Sequence, residues 1–179
     1  MLNVGRGRRT PIWLAFVPIA ILLSSAAVEP GAVFAGKAQP APNPIFKYLL
    51  PVLRRSDVPL ILPRWLPPLS PMYASLGILK RGHYGVDLGY VPDCGGATAC
   101  RIGSVEGERI TRVTAPLVGR AVPLARYITG HFVRYACGAS CRDSTMAWNE
   151  RGYRYTFGIK AGTLGQLRRM ANSAIIDSP

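Results

Sequence analysis

The sequence is short of acidic residues and of histidines, and both shortages limit the functions it can have. Its 179 residues include nine aspartates and glutamates against 22 lysines and arginines, so the net charge is +13. There are two histidines, His83 and His131, and each lies on the outward side of a predicted strand. The G-x-S-x-G, HExxH, P-loop and dinucleotide-binding patterns are missing. The sequence therefore predicts no catalytic, cofactor-binding or metal-binding residues.

One pair of residues has the geometry that a general base and its orienting carboxylate would need. His83 and Asp87 share a face of a predicted strand. Two exposed strand residues have the same spacing, so this pattern does not predict catalysis.

The basic residues form no run of five or more. They occur singly or in pairs such as Arg54-Arg55, Lys80-Arg81 and Arg168-Arg169. A large positive charge attracts anionic polymers and lipid headgroups. Because the charges are dispersed, the favoured interpretation is an ordinary solvated surface, and no particular partner is predicted. The alternative is a surface that binds an anionic envelope polymer, lipid headgroups or an envelope protein, in preference to nucleic acid.

The first 35 residues have the organisation of a secretory signal peptide. Three arginines precede the apolar run "PIWLAFVPIAILLSSAAV", and small residues follow it. We expect cleavage after Ala35, with Ala27 as the alternative site, and a periplasmic or extracellular protein. The apolar run is close to the shortest that spans a bilayer, so an uncleaved N-terminal membrane anchor is the other interpretation. Cleavage after Ala35 removes three arginines and one glutamate, which leaves a net charge of +11.

The remaining chain is long enough for one domain with a core. Residues 36–57 are predicted to form a proline-rich linker with a short helix that breaks at Pro51. Residues 58–179 are predicted to form a disulfide-stapled domain. Its first segment has too many prolines for a helix or a central strand and is expected to lie extended over the core. The side chains expected to be buried there are Leu60, Ile61, Leu62, Trp65 and Leu66.

Apolar residues alternate with a period of two from Tyr73 onward, which is the pattern of strands with one buried face. We predict strands at 73–80, 83–91, 118–124, 127–136, 144–148 and 153–160. Gly152 suits the positive φ of the turn before the last of them. Strands that follow each other so closely predict an α+β fold with an antiparallel sheet of about five or six strands.

A C-terminal amphipathic helix is expected to pack on this sheet. Thr163 and Gln166 have capping-box spacing, in which each side chain satisfies a free backbone donor of the other residue. Apolar residues then recur at helical spacing from Leu164 to Ile175.

Four cysteines in an exported chain favour disulfides, because disulfides form and persist in oxidising compartments. Their spacings fit poorly with a zinc knuckle or a C-x-x-C redox site. Four cysteines allow three pairings. We favour Cys94–Cys100 and Cys137–Cys141, because each pair encloses a short loop of small residues.

The last predicted hairpin and the strand before it carry an arginine group that is a candidate anion-binding site, although a dispersed basic surface is the favoured interpretation. The group consists of Arg134, Arg142, Arg151 and Arg154. If the strands are neighbours, the four guanidiniums share one region of the sheet, although a one-residue slip in register would separate them.

The C-terminal third contains "CGASC", Trp148, "GYRY" and "ANSAI" in that order. In these motifs and its two cysteine loops, the chain resembles, over about residues 58–175, an uncharacterised family of exported bacterial proteins, notably from cyanobacteria. The hairpin and helix of 140–175 also look, more distantly, like the C-terminal module of envelope-stress and sporulation proteins. Neither resemblance implies an activity or catalytic residues, whereas the second implies a module that binds protein or lipid partners.

The function expected from these observations is that of an envelope-associated binding or structural module without catalytic activity. The alternatives are a cell-envelope hydrolase of an unrecognised kind and a membrane-tethered regulatory ectodomain.

Overall fold

A computed structural model describes residues 41–138 and 141–176. The predicted signal peptide and its cleavage site lie outside the described residues. Among the described residues, no helix has the length and apolar character needed to cross a membrane.

Within these residues, seven strands form one antiparallel sheet, which confirms the α+β fold and adds to the predicted count. The strands are β1 Tyr73–Lys80, β2 His83–Gly89, β3 Arg101–Arg109, β4 Arg120–Pro123, β5 Thr129–Val133, β6 Asp143–Glu150 and β7 Tyr153–Lys160. Their order across the sheet is β1-β2-β3-β7-β6-β5-β4.

The additional strand is β3, which lies between β2 and β7. The sequence of β3 does not show the alternation of apolar and polar residues, because Gly103 and Gly107 occupy positions on the face that packs against the core. A Cβ at Gly107 would come within 2.5 Å of the Tyr84 ring, so the glycine makes room for that phenol. With glycine on both sides of Val105 at the core positions, the strand has too few apolar residues for a period of two to be recognised.

One face of the sheet packs against the extended segment that follows the short N-terminal helix. Ile61 and Leu62 are buried, whereas Leu60, Trp65 and Leu66 are half-buried against the core. The Tyr84 hydroxyl donates to the carbonyl of Ile61 and accepts from its amide, both at 3.1 Å. Burial raises the pKa of Tyr84 far above its usual range, so the phenol stays neutral in this position.

The core also includes residues that precede the extended segment. Helix α1 spans Leu50–Leu53, and both Phe46 and Leu53 are fully buried. The sequence predicted that Pro51 would break this helix, and that prediction is wrong. Pro51 lies in the first turn of α1. A proline there removes no helical hydrogen bond.

Helix α2, Leu164–Ile176, packs on the same face of the sheet beside the extended segment. The predicted capping box is confirmed, with Thr163 N donating to Gln166 Oε1 at 2.9 Å and Gln166 N donating to Thr163 Oγ1 at 3.2 Å. The buried side chains of α2 are Leu167, Met170, Ala171, Ala174 and Ile175. The side chain of Asn172 accepts a hydrogen bond from the amide of Ala125 at 2.8 Å.

The two ends of the sheet differ in how the strands are connected. At one end, here called the hairpin end, tight turns join β1 to β2, β6 to β7 and β4 to β5. At the other, here called the disulfide end, cysteine-bearing loops join β2 to β3 and β5 to β6. The connection 110–119 leads from β3 at the hairpin end to β4 at the disulfide end.

Candidate functional site: a basic groove at the hairpin end

An open groove of about 830 Å³ lies at the hairpin end of the sheet. Four cationic side chains line it, and we call it the basic groove, defined by Lys80, Arg81, Arg109 and Arg154. Part of the connection 110–119 also lines it, through Thr111, Val113, Thr114 and Ala115.

The sheet register places these cations on neighbouring strands. One row of paired residues crosses the sheet through Lys80, His83, Glu108, Arg154 and Asn149. Lys80 and Arg154 therefore lie three strands apart in the same row, and Arg81 and Arg109 each follow a member of it. Since adjacent strands are about 4.8 Å apart, the row between Lys80 and Arg154 is about 14 Å long.

Two of the arginines are oriented by contacts with the protein. Arg154 donates from Nη1 to the carbonyl of Ala115 at 2.6 Å and from Nε to Oδ1 of Asn149 at 3.1 Å. The guanidinium of Arg109 lies 5.3 Å from the centre of the Tyr153 ring. Contacts to neutral partners fix a guanidinium without cancelling its charge, so both arginines keep their attraction for anions.

Acidic residues compensate the basic groove only in part. Glu108 is the carboxylate that lines it. Arg81 pairs with Asp57 at 3.2 Å, but 92% of the arginine side chain and 55% of the aspartate side chain are exposed. Within the described part of the chain, no ion pair involves Lys80, Arg109 or Arg154. The groove is therefore electropositive.

The structure does not bring the four arginines singled out from the sequence into one region. Arg142 comes just before β6 and Arg151 just after it, so an eight-residue strand separates them by about 25 Å. Arg134 lies with Arg142 at the disulfide end, where it stacks over Tyr135 at 5.5 Å. Arg154 alone of the four lines the basic groove.

Sequence reasoning missed Lys80, Arg81 and Arg109 as members of this site. Arg109 ends the strand that had not been recognised, and its register with β2 and β7 brings the β1–β2 turn close to Arg154. The pair Lys80-Arg81 at a predicted hairpin turn was the one signal that the sequence offered.

The disulfide end has the local cysteine pairing that the sequence favoured. Cys94 is bonded to Cys100 and Cys137 to Cys141, and no free cysteine is found among the described residues. Two disulfides indicate an oxidising environment such as that of exported proteins.

A three-residue ion cluster lies beside the first of these disulfides. Arg101 donates to Oδ2 of Asp143 at 2.8 and 3.2 Å and to Oδ1 of Asp87 at 3.2 Å. Burial by itself would lower the pKa of Arg101, but the hydrogen bond and charge of Asp143, with the charges of Asp87 and Glu106, outweigh it and raise that pKa. This guanidinium is neutralised and is not available to an external anion.

His83 and Asp87 each contact a different charged residue. The Nε2 atom of His83 lies 3.7 Å from Oε2 of Glu106, whereas Asp87 is bound to Arg101. His131 lies on β5, paired with Ala147 of β6. The described residues contain no group of three or more His, Cys, Asp or Glu side chains able to bind a metal ion.

No protein-family model matches the chain, and no match was found among curated proteins or solved structures. The resemblance to exported cyanobacterial proteins therefore stays a prediction.

Proposed function

We propose that the protein is an envelope-associated, non-catalytic module that binds anionic polymers or headgroups through the basic groove. It is exported by a signal peptide cleaved after Ala35 and works in the periplasm or outside the cell. The observation that carries this proposal is the placement of four cations, with one lining carboxylate, around a single open groove.

The chemistry of the groove fits phosphate or carboxylate groups. Arginine presents a planar fork of donors that binds either anion in a bidentate manner, whereas lysine supplies a compact charge. The groove is open to solvent and is lined by both Lys80 and Arg154, so a chain of anionic groups can lie along the row between them. An extended polyanion therefore suits it better than one small enclosed ligand.

The test compares two quadruple variants that lose the same charge. One replaces the groove cations Lys80, Arg81, Arg109 and Arg154 by Gln, and the other replaces Arg120, Arg134, Arg142 and Arg168, which are exposed elsewhere on the protein. Both are applied to a phosphate-bearing resin and eluted with a salt gradient. We expect the groove variant to elute at clearly lower salt than the control variant, because the groove presents its charges together.

If both variants lose retention equally, binding to the resin depends only on the net charge of the protein, and the proposal is contradicted. Circular dichroism and thermal unfolding of each variant verify that the fold is intact. Release of soluble fragments from an envelope polymer by the wild-type protein would instead favour the hydrolase alternative.

A further inference from the structure

The three tight turns of the hairpin end each carry an arginine. Arg81 lies in the β1–β2 turn, Arg151 in the β6–β7 turn and Arg126 in the β4–β5 turn. The pairs Lys80–His83, Glu150–Tyr153 and Pro123–Thr129 close these hairpins. The register of β5 with β6 puts Thr129 level with Asn149, so all three turns extend beyond the same row of the sheet.

The three arginines consequently lie along one line at the margin of the sheet. Counting strand positions at about 4.8 Å each, the first two turns are about 14 Å apart and the last two about 10 Å apart. The basic groove lies between the first two turns, since Arg81 and Arg154 both line it. This end therefore presents a line of three arginines about 24 Å long, in which Arg81 pairs with Asp57 and Glu150 directly precedes Arg151.

An exposed tyrosine stands at one end of this line. Tyr127 is completely exposed, at 104% of the reference area, and has a φ of 59° directly after Arg126 with a φ of 53°. Left-handed conformations are unfavourable for residues with a Cβ and usually fall to glycine or asparagine. Two backbone hydrogen bonds nevertheless fix the turn. Leu124 N donates to Ile128 O at 2.8 Å, and Ile128 N donates to Ala125 O at 3.1 Å.

The same turn is anchored to the helix that covers the core. Arg126 donates from Nη2 to the carbonyl of Ile176 at 3.0 Å, at the end of α2. A strained and braced turn thus points an aromatic ring away from the protein, where the ring adds nothing to the core. Strained residues of this kind concentrate at binding sites.

From this arrangement we infer that the hairpin end docks on an anionic lipid surface. The turn arginines and the groove cations bind the phosphates of the headgroups, and Tyr127 inserts its ring at headgroup level. Tyrosine is favoured at membrane interfaces because its ring is apolar and its hydroxyl remains in water. Val113, 93% exposed in the wall of the groove, offers a second apolar contact. The inference rests on the proposed anion binding and specifies its source.

A lipid surface fits these features better than a soluble polyanion does. A soluble polymer can bind along the groove without contacting the β4–β5 turn, which carries Arg126 and the exposed Tyr127 ring. A surface contacts all three turns at once, and each basic residue close to an anionic membrane adds to the binding.

The experiment measures binding to vesicles by the protein purified after export, which carries its disulfides and its natural N-terminus. Vesicles of phosphatidylcholine alone are compared with vesicles containing 30 mol% phosphatidylglycerol, by co-sedimentation at low and at physiological salt. The test variants are the triple replacement of Arg81, Arg126 and Arg151 by Gln, and Tyr127→Ala. Their controls are the triple replacement of Arg120, Arg134 and Arg142 by Gln, and Tyr73→Ala, a partly exposed tyrosine at the disulfide end.

We expect the wild-type protein to prefer the anionic vesicles, and added salt to weaken this preference. The arginine triple variant should lose about 100-fold in partition coefficient, and Tyr127→Ala about fivefold. The controls should change much less, and Tyr127→Ala should keep full retention on the phosphate resin.

Unchanged vesicle binding in both test variants would overturn the docking inference. If the groove variant still loses resin retention in that case, the proposed function stands and its ligand is a soluble polyanion. If the wild-type protein binds neither vesicles nor resin, both proposals fail together.

Discussion

The two ends of the sheet treat positive charge in opposite ways. At the disulfide end, Arg101 lies between two carboxylates and is 27% exposed. At the hairpin end, four cations line an open groove in which Glu108 is the lining carboxylate. A buried charge must be paired for the fold to be stable, whereas an exposed one can be left for a ligand. The paired cluster at the disulfide end stabilises the fold, whereas the exposed cations at the hairpin end are the basis of the proposed anion binding.

The same ion-pair distance occurs at both ends, so distance does not explain the contrast. Arg101 and Asp87 are 3.2 Å apart, and so are Arg81 and Asp57. The first pair has side chains 27% and 17% exposed, and the second 92% and 55%. Water and ions screen the exposed pair much more strongly.

The largest effect is expected from replacing the arginine of each pair by methionine. Arg101→Met leaves Asp87 and Asp143 half-buried without their cation, which should lower the free energy of unfolding by about 3 kcal/mol. Arg81→Met should lower it by less than about 1 kcal/mol, because that pair is exposed. Urea unfolding at neutral pH measures both. Equal losses of stability would mean that the ion pairs at the two ends contribute equally to the fold, which would contradict the comparison.

Glycines around the Arg101 cluster show why it could not be read from the sequence. A Cβ at Gly77 would lie 2.8 Å from the carboxylate of Asp87, and one at Gly158 would lie 2.9 Å from that of Asp143. These glycines come from β1 and β7, and the aspartates from β2 and β6. A cluster assembled from five strands depends on register, which sequence periodicity does not fix.

Local signals were read correctly where neighbouring residues decide the structure. The β1–β2 hairpin, the positive φ of Gly152, the capping box of α2 and the pairing of cysteines within each loop all agree with the structure. The basic groove was missed because its cations come from separate elements that meet only through β3. The sequence analysis did not predict that the segment before the extended region contributes to the core, where Phe46 and Leu53 are buried.

A second prediction separates stability from binding. Replacing Cys94 and Cys100 by Ser should lower the free energy of unfolding by about 2 kcal/mol, as expected for so short a loop. Retention on the phosphate resin should stay within about twofold of wild type under conditions where the variant is folded, because the groove lies at the other end of the sheet. Urea unfolding and salt-gradient elution measure the two quantities. A folded variant that no longer binds the resin would show that the two ends are coupled.

The smallest change in the free energy of unfolding is expected at the β4–β5 turn. It should be an increase, whereas the variants above should lower the stability. Tyr127→Gly should raise the free energy of unfolding by about 1 kcal/mol, because glycine adopts a φ of 59° without the steric cost that a side chain brings. Tyr127→Ala is the matched control, since it removes the ring but keeps the Cβ, and it should leave stability almost unchanged. Both variants should lose binding to anionic vesicles to the same extent. Thermal unfolding and co-sedimentation of the two variants side by side thus separate the strain of the turn from the contact made by the ring. If glycine stabilises no more than alanine does, the turn is not strained, and the exposed tyrosine has no energetic cost that binding would have to explain.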